Sequence, residues 1–405
     1  MKKILVTVLI ITIVLTGNFD LNSKSLVSDF TKEDYIENVD KSSETKELNN
    51  ALEEEQIQED ETDTSTVSLI AVGDIMFHLP QISSAKTELG TYDFNPAFKH
   101  VKKYIEEADI AIGNFETVTA GNSIGFSGFP RFNSPIETLS ALKNVGFDIL
   151  STANNHSLDQ GKKGIINTID GINELGLKNI GTYKEKERPL LIEVKNGIKL
   201  GILSYTFGLN GLDSLLPSDE GYMINLLDEA LIKEDIMTIK DHDVDMVIVY
   251  IHWGYEYHID PSEYQIELAR KMVEWGANLI LGSHPHTIQK TEIIEFEGKD
   301  NLILYSMGNF ISNQRYDTMG NSYTEDGVMV QVVLEKDNLT NNTYIKEINY
   351  IPTWVHKFRF EKGFNYEILP IEETLTGSIQ TPLIESILER LDKSYKDTIN
   401  TLSKD

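Results

Sequence analysis

Residues 278–289 read Asn-Leu-Ile-Leu-Gly-Ser-His-Pro-His-Thr-Ile-Gln: an apolar run stops at Gly282-Ser283 and presents two imidazoles, His284 and His286, on either side of Pro285. Proline fixes its own φ and has no N–H, so the turn is stiff. In an extended stretch, residues two apart point the same way, so one ion, or two adjacent ions, can face both rings. A loop with two unrelated surface histidines has the same spelling, so the motif needs context. That context is a set of further donors, each following an apolar run: Asp74, Glu116, Asn155 with His156, and His252. Two carboxylates, an amide and three imidazoles, with no thiolate, suit one or two ions of Mn²⁺, Fe, Zn²⁺, Mg²⁺ or Ca²⁺. Such an ion polarises a phosphoryl or carbonyl oxygen and acidifies a bound water. His156, beside the Asn155 amide, is then placed to protonate a leaving group.

Each residue alone has a plainer reading. Asp74 after Gly73 can cap a helix, Glu116 can be a surface acid, Asn155 and His156 can bond a turn, and His252 beside Trp253 can be a satisfied core histidine. Recurrence at separate strand ends is what favours a site. Asn154, Trp253, Glu256 and Asn309 are candidate substrate contacts beside it. Glu116 and Glu256 leave carboxylate-pair glycosidase chemistry open. The sequence has no Gly-x-x-x-x-Gly-Lys-Ser/Thr phosphate loop.

The elements that must position these residues are apolar strands over 67–72, 108–112, 147–152, 246–251, 279–281 and 302–305. Helical periodicity over 96–107, 135–145, 164–175, 227–240 and 264–275 lies between them. Strands alternating with helices argue for an α/β domain, in which ligands gather at the carboxyl ends of the strands. Asn196-Gly197 between 191–194 and 199–205, and Glu297-Gly298 between 293–296 and 301–305, read as hairpin turns. The sheets are therefore mixed, and two sheets face to face with helices outside is the expected layering. The domain is expected over 67–370, with a peripheral C-terminal helix in 371–405.

The chain has 405 residues, no cysteine and a formal net charge of −28. Disulfides and thiolate sites are excluded, and nucleic acid is an unsuitable partner for this charge. Met1-Lys2-Lys3 followed by an apolar run has the shape of a signal peptide or signal-anchor over 1–18, which places the rest outside the cytoplasmic membrane. Residues 19–66, acidic and poor in aromatics, read as a disordered, self-repelling linker.

The blocks Ala71-Val72-Gly73-Asp74, Gly113-Asn114-Phe115-Glu116-Thr117, Ala153-Asn154-Asn155-His156-Ser157-Leu158-Asp159-Gln160-Gly161, His252-Trp253-Gly254-Tyr255-Glu256-Tyr257, Gly282-Ser283-His284-Pro285-His286 and Tyr305-Ser306-Met307-Gly308-Asn309-Phe310 resemble, in order, the CapA (PgsA) family of poly-γ-glutamate capsule-biosynthesis proteins. That family is in turn similar to calcineurin-like metallophosphoesterases. The resemblance implies a four-layer α/β/β/α sandwich. It further implies that Asn155, His252 and His284 hold one metal and that Asp74 and His286 hold another. Glu116 then stands at the bridging position, and His156 assists the leaving group. Met76 stands where that pattern has a histidine, and Glu116 where it has an aspartate, so the metal site of Asp74 and His286 is one ligand short. The implied partners are the poly-γ-glutamate polymer, integral-membrane synthetase subunits and, through the N-terminus, the membrane. A secreted phosphoesterase and a non-catalytic scaffold of the synthetase complex are the alternatives.

Overall fold

The computed structural model describes residues 63–360, 363–382 and 384–404. In chain order its strands are β1 (Thr64–Ile75), β2 (Ile110–Phe115), β3 (Ile149–Ser151), β4 (Lys178–Ile180), β5 (Leu191–Lys195), β6 (Ile198–Thr206), β7 (Met246–His252), β8 (Leu279–Ser283), β9 (Thr291–Phe296), β10 (Lys299–Leu304), β11 (Asn309–Ile311), β12 (Asp326–Asp337), β13 (Asn342–Phe360) and β14 (Gly363–Pro370). The longer helices are α1 (Glu137–Val145), α2 (Gly161–Glu174), α3 (Glu229–Lys240), α4 (Glu263–Trp275) and α5 (Leu388–Leu402).

Two sheets result. One has the order β14-β13-β12-β1-β2-β3-β4, with β11 also paired to β1; the other is β5-β6-β7-β8-β10-β9. Strands β1 to β4 run parallel, as do β6, β7, β8 and β10. Their buried stretches are apolar on both faces because both faces are covered. Val67, Leu69 and Ala71 of β1 point between the sheets and meet Leu200, Ile202, Ile248, Tyr250, Leu279 and Leu281. The alternate residues Ile70 and Val72 point the other way, against Leu139, Leu142 and Val145 of α1 and Ile172 of α2. Val247, Val249 and Ile251 do the same toward Ile232, Ile236 and Ile239 of α3 and Leu268 and Met272 of α4. The period of two in the strands and 3.6 in the helices thus builds four layers, α/β/β/α. Two polar bonds tie the sheets together: Tyr250 donates to the Val72 carbonyl at 2.6 Å, and the Ser151 and Ser204 hydroxyls meet at 2.7 Å.

Some boundaries differ from expectation. Strand β1 begins at Thr64, because Thr64, Ser65 and Thr66 pair with Asp337, Lys336 and Glu335; the ladder uses backbone groups, and side-chain polarity does not report it. The helix expected over 96–107 is split into a 3₁₀ turn, Asn95–Phe98, and a helix, Lys102–Glu107. The short strands β4 and β11 and the helix Leu79–Ser84 carry too few residues to show a period. At the Asn196-Gly197 turn both residues have positive φ, 50° and 79°, as a two-residue hairpin requires. Helix α5 and the short helix Ile371–Leu375 bury Leu391, Ile387 and Ile371 against Trp354 and Leu369. The leader over 1–18, and the linker up to residue 62, lie outside the described residues. Among the described residues no helix is long and apolar enough to cross a membrane.

Candidate metal centre

Register brings the donors together at the carboxyl ends of both sheets. Asp74 of β1 is the ladder partner of Asn114 of β2, which in turn pairs with Ser151 of β3. In the other sheet His252 of β7 is the partner of Ser283 of β8. The β1 ladder shifts register at Gly73 and Asp74, a bulge that re-aims the carboxylate. Gly73 is required there, since a Cβ would lie 1.9 Å from the Gly308 carbonyl oxygen. Gly282 is required likewise, with 2.1 Å to the Tyr305 carbonyl oxygen.

The His-Pro-His segment is a turn and not the extended stretch expected. His284 and His286 have φ of 99° and 57°, values that non-glycine residues rarely adopt. The rings still face one cluster, 5.8 Å apart between centroids. Such strain persists where the surroundings over-determine it, and it concentrates at functional sites.

The expected donors meet. His252 Nε2 lies 3.0 Å from Asn155 Oδ1 and 3.6 Å from Glu116 Oε1. His286 Nδ1 lies 3.0 Å from Asp74 Oδ2 and 3.2 Å from Asn309 Oδ1. Two acceptors at Nδ1 assign the proton to it and leave the Nε2 lone pair, 3.7 Å from Glu116 Oε1, for an ion. Asn114 Nδ2 donates to Asp74 Oδ1 at 2.8 Å, and the His284 N–H donates to Asp74 Oδ2 at 3.3 Å. Ligand atoms of Glu116, His252 and His284, and of Asp74, Glu116 and His286, lie within 4.8 Å of one another.

The electrostatics are those of a site built for a cation. Burial, then the neighbouring Asp74 charge, pushes the Glu116 carboxyl well above its usual range. Burial alone would raise Asp74 too, but bonds from His286 and Asn114 outweigh it and hold Asp74 low. Burial, then the other imidazoles, drives His252 far below its usual value, and His284 to about 3, so both are neutral and ligand-competent at neutral pH. Two atoms test the fit directly: Glu116 Oε1 and His284 Nδ1 are buried without a hydrogen-bond partner. Buried polar atoms are ordinarily satisfied, and a divalent ion satisfies both. The residues present therefore fit a divalent cation.

His156 sits beside Asn155, its Nδ1 donating to Asp159 Oδ2 at 2.7 Å, and its ring packs edge-on against Phe132. Asp159 Oδ2 also accepts from the Phe132 N–H at 2.6 Å, which fixes the pair. Phe207 is 44 % exposed and lies 4.4 Å, centroid to centroid, from His284, walling the solvent side.

Among the expected substrate contacts, Trp253 is corrected. It follows His252 in the chain, so it points to the opposite face, where it is fully buried and donates to the Tyr305 carbonyl. Asn154 and Asn309 are at the site but fully enclosed. Asn154 donates to Asn114 Oδ1 and the Phe115 carbonyl, and Asn309 to Gln314 and the Thr324 carbonyl. Glu256 is exposed at the rim. Sequence reasoning passed over Asn114, Asp159 and Phe207. The first two lay inside the quoted motifs, Asn114 two residues from Glu116 and Asp159 three from His156; Phe207 had no signal.

The family model described as bacterial capsule synthesis protein PGA_cap matches residues 68–314. The chain belongs to that family. Within reach of PGA_cap proteins, the capsule biosynthesis protein CapA of Bacillus anthracis is 31 % identical over 286 residues, covering 68 % of this chain and 65 % of that protein. The PGA biosynthesis protein CapA of Bacillus subtilis is 28 % identical over 285 residues, covering 66 % and 67 %. The chain thus spans just under two thirds of the length of the Bacillus anthracis relative. Among solved structures, a phosphatase of Mycoplasma pneumoniae aligns over 71 % of this chain and 94 % of its own, at 16 % identity and a TM-score of 0.42. A Haemophilus influenzae NAD nucleotidase aligns over 84 % and 61 %, at 14 % identity and 0.44.

Proposed function

We propose that the chain is a metal-bearing component of poly-γ-glutamate capsule production or export, acting outside the cytoplasmic membrane beside integral-membrane synthetase subunits. The observation that carries this reading is the meeting of Asp74, Glu116, Asn155, His252, His284 and His286 in one buried cluster, in a chain whose residues 68–314 match the capsule synthesis family. These residues would hold a divalent cation, which would supply charge to offset polymer carboxylates and would polarise a bond held against it. The net charge of −28 supports a bridging role, since an acidic protein meets a polyanion favourably through shared cations or a local basic patch. The basic and apolar opening of the sequence supports membrane association.

A second reading, metal-dependent hydrolysis of a phosphoester, is favoured by the bond between His156 and Asp159. A buried carboxylate that fixes one ring nitrogen of a histidine leaves the other to pass a proton. In that reading Asn155 holds the ion's side of the reacting group, His156 carries the proton and Phe207 limits water at the rim.

The test is the double variant His252→Ala/His284→Ala. Bound metal is counted in the purified full chain, and polymer output in a capsule-forming cell carrying it. Loss of both is expected. A folded double variant that sustains normal polymer output overturns the metal-dependent role and leaves a scaffold. Turnover of a model phosphodiester by the wild type, abolished by His156→Ala, would establish the second reading.

A further inference from the structure

Three overlapping triads of donors occupy the cluster. Glu116, His252 and His284 form one and Asp74, Glu116 and His286 another; both are wholly buried. The third, Glu256 with His284 and His286, has its ligand atoms within the same 4.8 Å of one another, but its carboxylate is exposed. We propose that Glu256 is a metal ligand on the solvent side of the cluster, joining His284 and His286 around a divalent cation that enters and leaves there. This rests on the metal-bearing reading above and adds to it the route and the outermost ligand.

Three observations support the assignment. His284 is 3 % exposed, and its Nδ1 has no hydrogen-bond partner, so no protein group competes for it with an ion that the interior donors and Glu256 share. The turn that carries Glu256 is constrained on both sides. Gly254 has φ of 90°, and a Cβ there would lie 2.6 Å from Gln265 Oε1. Tyr257 has φ of 67°, and its N–H donates at 2.7 Å to the carbonyl of Pro285, the residue between the two histidines. That bond fastens the Glu256 turn to the His-Pro-His turn. Finally, the reach is right. Three atoms each about 2.1 Å from a shared ion and evenly spread around it are about 3.4 to 3.6 Å apart. Closing from 4.8 Å or less takes a shift of about an ångström at most, which an exposed side chain makes without disturbing the core. A hard, solvent-facing carboxylate is also the first ligand that an arriving cation meets.

The plainer reading of Glu256 is a solvated surface acid, and the experiment separates the two. Mn²⁺ is titrated calorimetrically into the full-length wild type, Glu256→Gln and Glu263→Gln, the last removing an exposed acid of the first turn of α4. Release of Mn²⁺ to EDTA is timed in all three, and circular dichroism confirms the fold. Glu256→Gln is expected to weaken Mn²⁺ binding about tenfold or more and to speed release, with Glu263→Gln close to wild type. Equal weakening by both variants means diffuse charge and overturns the assignment, as does wild-type binding in Glu256→Gln; in either case the interior metal site stands. A wild type that binds no Mn²⁺ overturns this assignment together with the metal-bearing reading.

Discussion

Asn114 joins the carboxylate side of the cluster to its amide side. Its Nδ2 donates to Asp74 at 2.8 Å, while its Oδ1 accepts from Asn154 Nδ2 at 3.0 Å. Removing it strips a buried carboxylate of a donor, a loss that costs about 1–3 kcal/mol. Asn114→Ala is therefore expected to lower the urea midpoint. It should also weaken Mn²⁺ binding by about 10- to 100-fold, as loss of a group that orients a ligand does. Calorimetry beside urea denaturation checks both; unchanged Mn²⁺ affinity would refute the orienting role. The candidate donors themselves were legible in the sequence because a strand that ends in a polar residue announces itself. Asn114, inside the strand on the pocket-facing side, looks like any polar interruption of an apolar run. Its meaning comes from the register with Asp74, and register is a non-local quantity. Trp253 failed in the opposite sense: its neighbour His252 drew attention to it, while strand alternation sent it to the far face.

At the scale of elements, the parallel strands and their helices followed from periodicity. Helix α5 has a role that periodicity does not convey. Arg390 and Ser394 reach across to Asp326, the first residue of β12, both at 2.6 Å from Oδ1. Burial raises the Asp326 carboxyl to about 6, with Arg390 opposing the rise. The folded chain therefore keeps a proton that the unfolded chain, with a carboxyl near 3.8, has given up. Stability contributed by this group is full below the unfolded value and falls as pH rises toward 6, then stays flat. The stability advantage of wild type over Asp326→Asn should shrink by about 1 kcal/mol between about pH 5 and about pH 7.5. Urea melts of both proteins at the two pH values measure it, and an advantage that grows with pH would refute the sign. Asp326 lies just past the segment that supplies Thr324, whose carbonyl accepts from Asn309, the neighbour of His286. The C-terminal helix thus braces a loop that backs the donor cluster, a connection between residues far apart in sequence that no local pattern encodes.

At the scale of the whole molecule, the composition bears on the partner. A chain of net charge −28 repels a polyanion at long range. If shared cations bridge the two, immobilised poly-γ-glutamate should retain the full chain when Mn²⁺ or Ca²⁺ is present and release it into EDTA. Retention that survives EDTA would exclude bridging. The four-layer architecture was legible from alternating strands, helices and hairpin turns. The pairing of Thr64–Thr66 with β12 was not, because polar residues on a ladder resemble linker sequence.

The donors divide by layer: Asp74, Glu116 and Asn155 hang from one sheet, and His252, His284 and His286 from the other. Any cation they share is a rivet through the seam, set at the mouth of the same gap that Tyr250 and Ser151 stitch from within. Because only the closed arrangement offers all these atoms at once, a shared ion would favour closure of the seam by mass action. A cation bound there would be a fastener of the architecture, and its removal would loosen the two halves where the donors sit.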